Sequence, residues 1–274
     1  MFRSGPPFLL VTGGKGGVGK TTIAANLGVE LAALELNPLV CDLDFGLANL
    51  DVVLGLEAHR TIEHFLRGDA TLEECALDTP FGMRVLAAGS GSYEMGRPDP
   101  RRRLRLREAL ARSSARIVVG DSPAGIGDDV LDFAVMADRV LVVTTPEPAA
   151  VTDAYGVIKA VDSYARDQGV EVPTPEVFVN LATDAGEARS IAAKLAGVCE
   201  RFLARSPRLV GWMPRSQSVL RAVIDQRPFV VQDPSAPPAR SIGRLARRYA
   251  DLSALRGPAG GTATVSKASH GVGR

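Results

Sequence analysis

A lysine followed by two hydroxyls, placed at the end of a run of glycines, is the first chemistry this chain offers. The stretch Val11-Thr12-Gly13-Gly14-Lys15-Gly16-Gly17-Val18-Gly19-Lys20-Thr21-Thr22 fits G-x-x-x-x-G-K-[ST], with Gly14 as first glycine and Gly19-Lys20-Thr21 closing it. Glycines let a backbone curl with its N–H groups pointing inward, and a helix N-terminus adds about half a positive charge. Such a pocket suits a phosphate chain: Lys20 would reach the β- and γ-phosphates, and the Thr21 hydroxyl would ligate Mg²⁺. The nucleotide-binding set is therefore Gly14, Lys15, Gly16, Gly17, Val18, Gly19, Lys20, Thr21 and Thr22. Carboxylates come next. Asp42, Asp44 and Asp51 follow the apolar run Leu39-Val40-Cys41, and Asp121 follows Ile117-Val118-Val119-Gly120. Acids just past a strand's carboxyl end stand where open α/β sheets bind ligands. An acid that ends a strand beside a phosphate loop can hold Mg²⁺ through water, which gives Asp121 a metal role.

These groups need elements to hold them. Phe8-Leu9-Leu10-Val11 reads as a buried strand running into the loop, and Thr21 to Leu36, rich in Ala, Leu and Glu, reads as the helix leaving it. Asn37-Pro38 ends that helix, and Leu39–Cys41 is a second strand. Further strands are expected at Gly82–Ala87, Ile117–Gly120, Arg139–Thr144 and Glu176–Val179, the last followed by Asn180. Short helices are expected at Thr61–Arg67 and from Ala70, and longer ones at Ala149–Gln168 and Ala239–Leu255. Val151, Ala154, Val157, Ile158 and Val161 recur at helical spacing in the first of these long helices. Ile242, Leu245, Ala246, Tyr249 and Leu252 do so in the second, as a core face rather than a membrane face. Continuous apolar strands such as Arg139–Thr144 are expected to be buried on both faces of a parallel sheet.

The composition narrows the classes. A chain of 274 residues suits one large domain, and 46% hydrophobic residues can fill its core. A net charge of +1 argues against a dominant nucleic-acid surface. From Pro100 to Arg112, Arg101, Arg102, Arg103, Arg105, Arg107 and Arg112 interleave with leucines but no aromatic residue, which favours a solvated helix face. Cys41, Cys75 and Cys199 form no C-x-x-C and read as small core residues. His59, His64 and His270 are scattered and read as surface or satisfied positions. Met1-Phe2-Arg3-Ser4-Gly5-Pro6-Pro7 lacks a signal-peptide core, and the expected compartment is the cytoplasm.

The second lysine in the loop, Lys15, makes the pattern specific. GGKGGVGKTT resembles the deviant Walker A signature of the MinD/ParA family of P-loop ATPases. The resemblance runs from about Phe8 to Leu255 and implies an α/β P-loop NTPase fold, a doubly wound, mostly parallel β-sheet flanked by helices on both faces. It implies that Lys15 crosses a dimer interface to the partner's nucleotide. DLDFGLANLDVVLGL resembles the family's switch I, so that Asp44 would position or activate the attacking water and Asp42 would help hold Mg²⁺ through water. Asp-Ser-Pro-Ala-Gly, residues 121–125, is similar to switch II, whose glycine can sense the γ-phosphate. By the same resemblance Asn180 hydrogen-bonds adenine. The segment Gly211-Trp212-Met213-Pro214-Arg215-Ser216 supplies the other adenine-side loop through Pro214, although relatives often have an acid at the position of Ser216. TTPEPAAVTDAYGVIK resembles the dimer-facing loop and helix, with Asp153 at a contact position.

The implied activity is Mg²⁺-dependent hydrolysis of ATP by a homodimer that closes on ATP. The layout TLEECALDTPFGMRVLAAGSGSYEM, with a Gly-Ser-Gly turn and Met95, resembles the FlhG (FleN) branch more than the division-site MinD branch. That branch regulates flagellar number or placement, with the GTPase FlhF or switch-complex proteins as partners. The alternatives are a MinD-like septum-placement ATPase, a ParA-like partition ATPase, or an adaptor that binds ATP without useful turnover. The ATPase domain is expected over 1–256 and a disordered tail over 257–274, the latter rich in Gly, Ala, Ser and Thr. That tail lacks the family's amphipathic targeting helix, and the N-terminus shows no FlhF-stimulating extension. Attachment at the inner face of the cell membrane is therefore left open.

Overall fold

The computed structural model describes residues 5–89 and 98–254. In chain order the first half runs β1 (Phe8–Thr12), α1 (Lys20–Ala33), β2 (Pro38–Asp42), α2 (Leu50–Leu54), α3 (Ile62–Arg67), α4 (Leu72–Cys75), β3 (Leu77–Asp78), β4 (Arg84–Leu86), α5 (Pro100–Ala111) and β5 (Ile117–Asp121). The second half runs α6 (Asp128–Met136), β6 (Arg139–Thr144), α7 (Pro148–Asp167), β7 (Glu176–Ala182), α8 (Ala185–Leu203), β8 (Arg208–Pro214), α9 (Gln217–Ile224), α10 (Phe229–Gln232) and α11 (Pro237–Ala254). The strands form one sheet in the order β3-β4-β2-β5-β1-β6-β7-β8. All pairings are parallel except that of β3 with β4, which puts one antiparallel strand on the edge.

Alternation along the strands divides the core. Successive side chains point to opposite faces. Phe8 and Leu10 of β1, Leu39 and Cys41 of β2 and Val140 and Val142 of β6 therefore enter one hydrophobic cluster. Leu9, Val11, Val40, Leu141 and Val143 enter the other. The first face is covered by side chains of α3, α5, α6, α7 and α8, among them Phe65, Leu106, Phe133, Val157 and Leu195. The second is covered by Ile23, Leu27 and Leu31 of α1 and by Ile242, Leu245 and Tyr249 of α11. Each such aliphatic side chain contributes about 1.5–3 kcal/mol when removed from water. The apolar stripe of α11 packs on α1 and β8, so its core role is borne out. Cys41, Cys75 and Cys199 are buried and unpaired, as their spacing implied.

The helix starts are sealed locally. Asp99 accepts the Arg102 N–H at 2.9 Å ahead of Pro100, and Asp184 accepts the N–H groups of Gly186 and Glu187. Thr71 and Glu74 form a capping box. His64 plays the reciprocal part for Thr61, whose N–H it accepts at 3.2 Å on Nδ1, so that histidine is satisfied structurally.

The structure corrects several boundaries. Gly211–Pro214 is not a loop but the end of β8, because β7 runs two residues past Asn180 and gives it a partner edge. The strand expected at Gly82–Ala87 shrinks to Arg84–Leu86. The stretch 185–203, unassigned from sequence, is the 19-residue helix α8. Ser90–Ser92, Met95, residues 1–4 and the tail 257–274 lie outside the described residues.

Candidate functional site

Strand β1 sits between β5 and β6, where the chain order of the parallel strands reverses direction across the sheet. A crevice at the carboxyl ends of the strands is expected there. The loop Gly13–Gly19 opens into it and ends at α1, whose N-cap Gly19 has φ +95° and whose first turn carries neither a side-chain cap nor an acid. The leading N–H groups of this helix are therefore left for an external anion. Gly14 and Gly19 leave no room for a side chain. A Cβ on Gly14 would stand 2.3 Å from the Asp153 carbonyl oxygen, and one on Gly19 would stand 2.5 Å from Asn180 Nδ2 on an already left-handed residue.

Lys20 is 9% exposed, directly after that turn. Burial lowers its pKa, while the nearby carboxylates of Asp121 and Asp44 oppose the shift. The register places Asp121 beside Val11 on one side and Asp42 on the other, so β1, β2 and β5 deliver their polar ends to one edge. Asp121 is fully buried, and its pKa is raised by desolvation and then by Asp42, against a hydrogen bond from the Thr21 hydroxyl and the charge of Lys20. Its Oδ1 and the neighbouring Thr12 Oγ1 are buried without hydrogen-bond partners. Such an orphaned carboxylate oxygen, with Thr21 alongside, fits the water shell of a Mg²⁺ ion. Among the described residues no group of three or more His, Cys, Asp or Glu could hold a metal ion.

Asp42 and Asp44 divide their work. Both oxygens of Asp42 are taken by backbone: Oδ1 accepts the Asp44 N–H at 2.9 Å, and Oδ2 accepts the N–H groups of Asn49 and Leu50 at 3.0 and 3.1 Å. It thus caps α2 from outside the helix, and burial raises its pKa to about 6. Asp44 is half-buried and gives only Oδ1 to the loop, accepting from Gly46 and Leu47. Its charge still acts on Lys20 and Asp121.

The family profile described as the CobQ/CobB/MinD/ParA nucleotide binding domain matches residues 9–229, from the first strand to α10. The chain belongs to this family. The antiactivator FleN of Pseudomonas aeruginosa is 40% identical over 221 residues, 80% of this chain and 77% of FleN. The flagellum site-determining protein YlxH of Helicobacter pylori is 39% identical over 163 residues, 59% of this chain and 55% of YlxH. Among solved structures, the septum site-determining protein MinD of Pyrococcus horikoshii, complexed with Mg-ADP, has a TM-score of 0.76 at 22% identity. That likeness of fold covers 92% of this chain and 98% of MinD.

The remaining positions read from the MinD/ParA resemblance are placed as follows. Lys15 is exposed and bonds Glu147 of its own chain, Nζ to Oε2 at 2.7 Å, which holds its pKa up. Asp153 adds a smaller attraction from α7. Gly125, at φ +96°, donates its N–H to the Gly13 carbonyl at 3.2 Å. Asn180 lies under the phosphate loop and donates from Nδ2 to the Val18 carbonyl at 2.9 Å. Pro214 ends β8 opposite Ala182, one strand further out. Ser216 caps α9, accepting the Ser218 N–H, so its hydroxyl has a structural job. Two contributors escaped the sequence reading. Thr12 shows only as the strand residue before the glycines. Glu147 shows only as a lone acid after β6, in the Thr-Pro-Glu-Pro break.

Proposed function

We propose that this chain is an ATP-driven dimerising switch that regulates flagellar number or placement in the manner of FlhG. The carrying observation is the pairing of a two-lysine phosphate loop with the orphaned Asp121 oxygen and the half-spent Asp44 in one crevice. The likeness to FleN and YlxH supports the flagellar output. In this reading the loop amides and Lys20 neutralise the phosphates of ATP. Thr21 and Asp121 hold Mg²⁺, with Asp42 acting behind them by shaping the switch loop. The ion supplies charge stabilisation on the phosphoryl oxygens. Asp44 orients the attacking water, which suffices because phosphoryl transfer is mostly positioning and charge stabilisation. Asn180 and Pro214 flank the adenine. Lys15 leaves Glu147 and reaches the nucleotide of a second copy, so the dimer forms when the third phosphate is present. FlhF or a flagellar switch-complex protein would read the closed dimer, in the cytoplasm or at the inner face of the membrane.

Calorimetry with Mg-ATP, followed by phosphate release, tests the reading. Asp44→Ala should bind ATP and lose about a hundredfold in turnover. Equal turnover would remove the catalytic assignment and leave a non-hydrolysing adaptor. Light scattering should show an ATP-dependent dimer that Lys15→Ala abolishes, and a dimer persisting in that variant would remove the proposed lysine role.

A further inference from the structure

We infer that the outward face of α9 is a docking surface for an anionic lipid bilayer. The inference does not rest on the nucleotide reading.

A surface helix normally turns its large apolar residues toward the core. Helix α9, Gln217–Ile224, does the reverse. Leu220, Val223 and Ile224 stand at i, i+3 and i+4 and so share one face. That face is in solvent, with Leu220 exposed by 55% and Ile224 by 71%. The buried residue of the helix is the small Ala222, on the opposite side, and Val219 packs partly against the core beside it. The ridge has a firm mount. Asp225, just past α9, accepts from Gln232 Nε2 at 3.1 Å, which ties the end of the helix to α10. The buried Asn26 of α1 ties α10 in turn: its Oδ1 accepts the Val230 N–H at 3.1 Å, and its Nδ2 donates to the Thr22 carbonyl at 2.8 Å.

Charge says what covers the ridge. Arg215, Arg221 and Arg227 are exposed before, on and after the helix. None of them forms an ion pair among the described residues, and Arg215 acts on Glu147 through its charge alone. The one acid between residues 215 and 232, Asp225, is engaged with Gln232. Aliphatic tips rimmed by unpaired guanidinium groups need a partner that is anionic at its surface and apolar beneath. The headgroup boundary of a bilayer has that order: apolar side chains enter it by roughly 5–10 Å while arginines stay level with the phosphates. A stable protein partner fits less well. Eight residues make a ridge only about 12 Å long, too small to supply the roughly 800 Å² that each side of such a pair contributes. A nucleic acid would satisfy the arginines through its phosphates but leave Leu220 and Ile224 in water.

Co-sedimentation of the full chain with vesicles tests the inference. The unaltered protein should pellet with mixed phosphatidylglycerol and phosphatidylcholine, far less with phosphatidylcholine alone, and less as salt rises. Leu220→Ser combined with Ile224→Ser should weaken binding about tenfold, and Arg221→Ala about fivefold. All three positions are exposed, so melting midpoints should barely move. Should the serine variant nonetheless fail to fold, Ile224→Trp decides: it keeps an apolar side chain suited to the headgroup boundary and should bind at least as tightly. Loss of binding by that variant would overturn the inference. So would an unaltered protein that ignores anionic vesicles, or a folded serine variant that pellets as well as its parent. If Arg221→Ala weakens binding and the serine pair does not, charge alone attracts the protein and no ridge enters the bilayer. Retention on a DNA duplex with none on vesicles would overturn the inference in favour of a nucleic acid.

Discussion

Asp42 gives both carboxylate oxygens to backbone N–H groups, three in all, whereas Asp44 gives only Oδ1, to two. Asp42→Ala should therefore act on folding. Three backbone N–H groups lose their acceptor at a cost of about 1–3 kcal/mol. At about 2–4 °C per kcal/mol for a chain of this size, calorimetry should show a melting midpoint several degrees lower. An unchanged midpoint would mean that the loop does not depend on this cap. At this scale the residues with a local signature were legible: Lys20, Thr21, Asp44 and Asp121 are fixed by their place after a strand or a glycine run. What could not be read was the distribution of hydrogen bonds. The three backbone N–H groups on Asp42 come from Asp44, Asn49 and Leu50, and only the folded loop brings them to one carboxylate. Nor could the Lys15–Glu147 pair be seen, since 132 positions separate its members.

Elements declare themselves when their pattern is local. The buried strands of the central sheet stood out as continuous apolar runs, and α7 and α11 as stripes. The 19-residue α8 escaped notice, although Ala188, Ile191, Ala192, Leu195 and Cys199 keep helical spacing behind the Asp184 cap. Its stripe is as well marked as that of α7, so the pattern was present in the sequence and went unread. Strand β4 was expected, within Gly82–Ala87, but its antiparallel partner β3 was hidden because a two-residue strand carries no period. The arginine-rich α5 shows the opposite case, a loud composition with a quiet role. Arg103 pairs with Asp132 of α6 at 2.5 Å and donates to the Pro98 carbonyl, and Arg105 lies 4.7 Å from the centre of the Phe65 ring. These arginines brace the fold. Arg103→Ala should cost about 1–3 kcal/mol, since it strips Asp132 of a half-buried partner. Arg101→Ala, at an exposed position, should change stability by about 0.5 kcal/mol or less. Urea melts of both variants test this, and equal midpoints would return the helix to a purely solvated face.

Taken whole, the molecule keeps its reactive sulfur out of reach. Burial pushes the Cys41 and Cys75 thiols above their ordinary range and that of Cys199 to about 11. Ellman's reagent at neutral pH should therefore find no fast thiol in the native protein and three after guanidinium. A rapid native reaction would show that the sheet opens more readily than its packing implies. No helix of the described residues is long and apolar enough to cross a membrane. The two sides of the crevice are not independent bodies either. The backbone bond from Gly125 to Gly13 stitches the segment after β5 to the segment after β1. A diphosphate could settle on the glycines with that stitch intact, but a longer anion bidding for the Gly125 amide would have to unpick it. Spent and fresh fuel would then differ in whether a seam at the mouth of the crevice is closed, and α6, which starts three residues downstream, would be the first part to feel the tug.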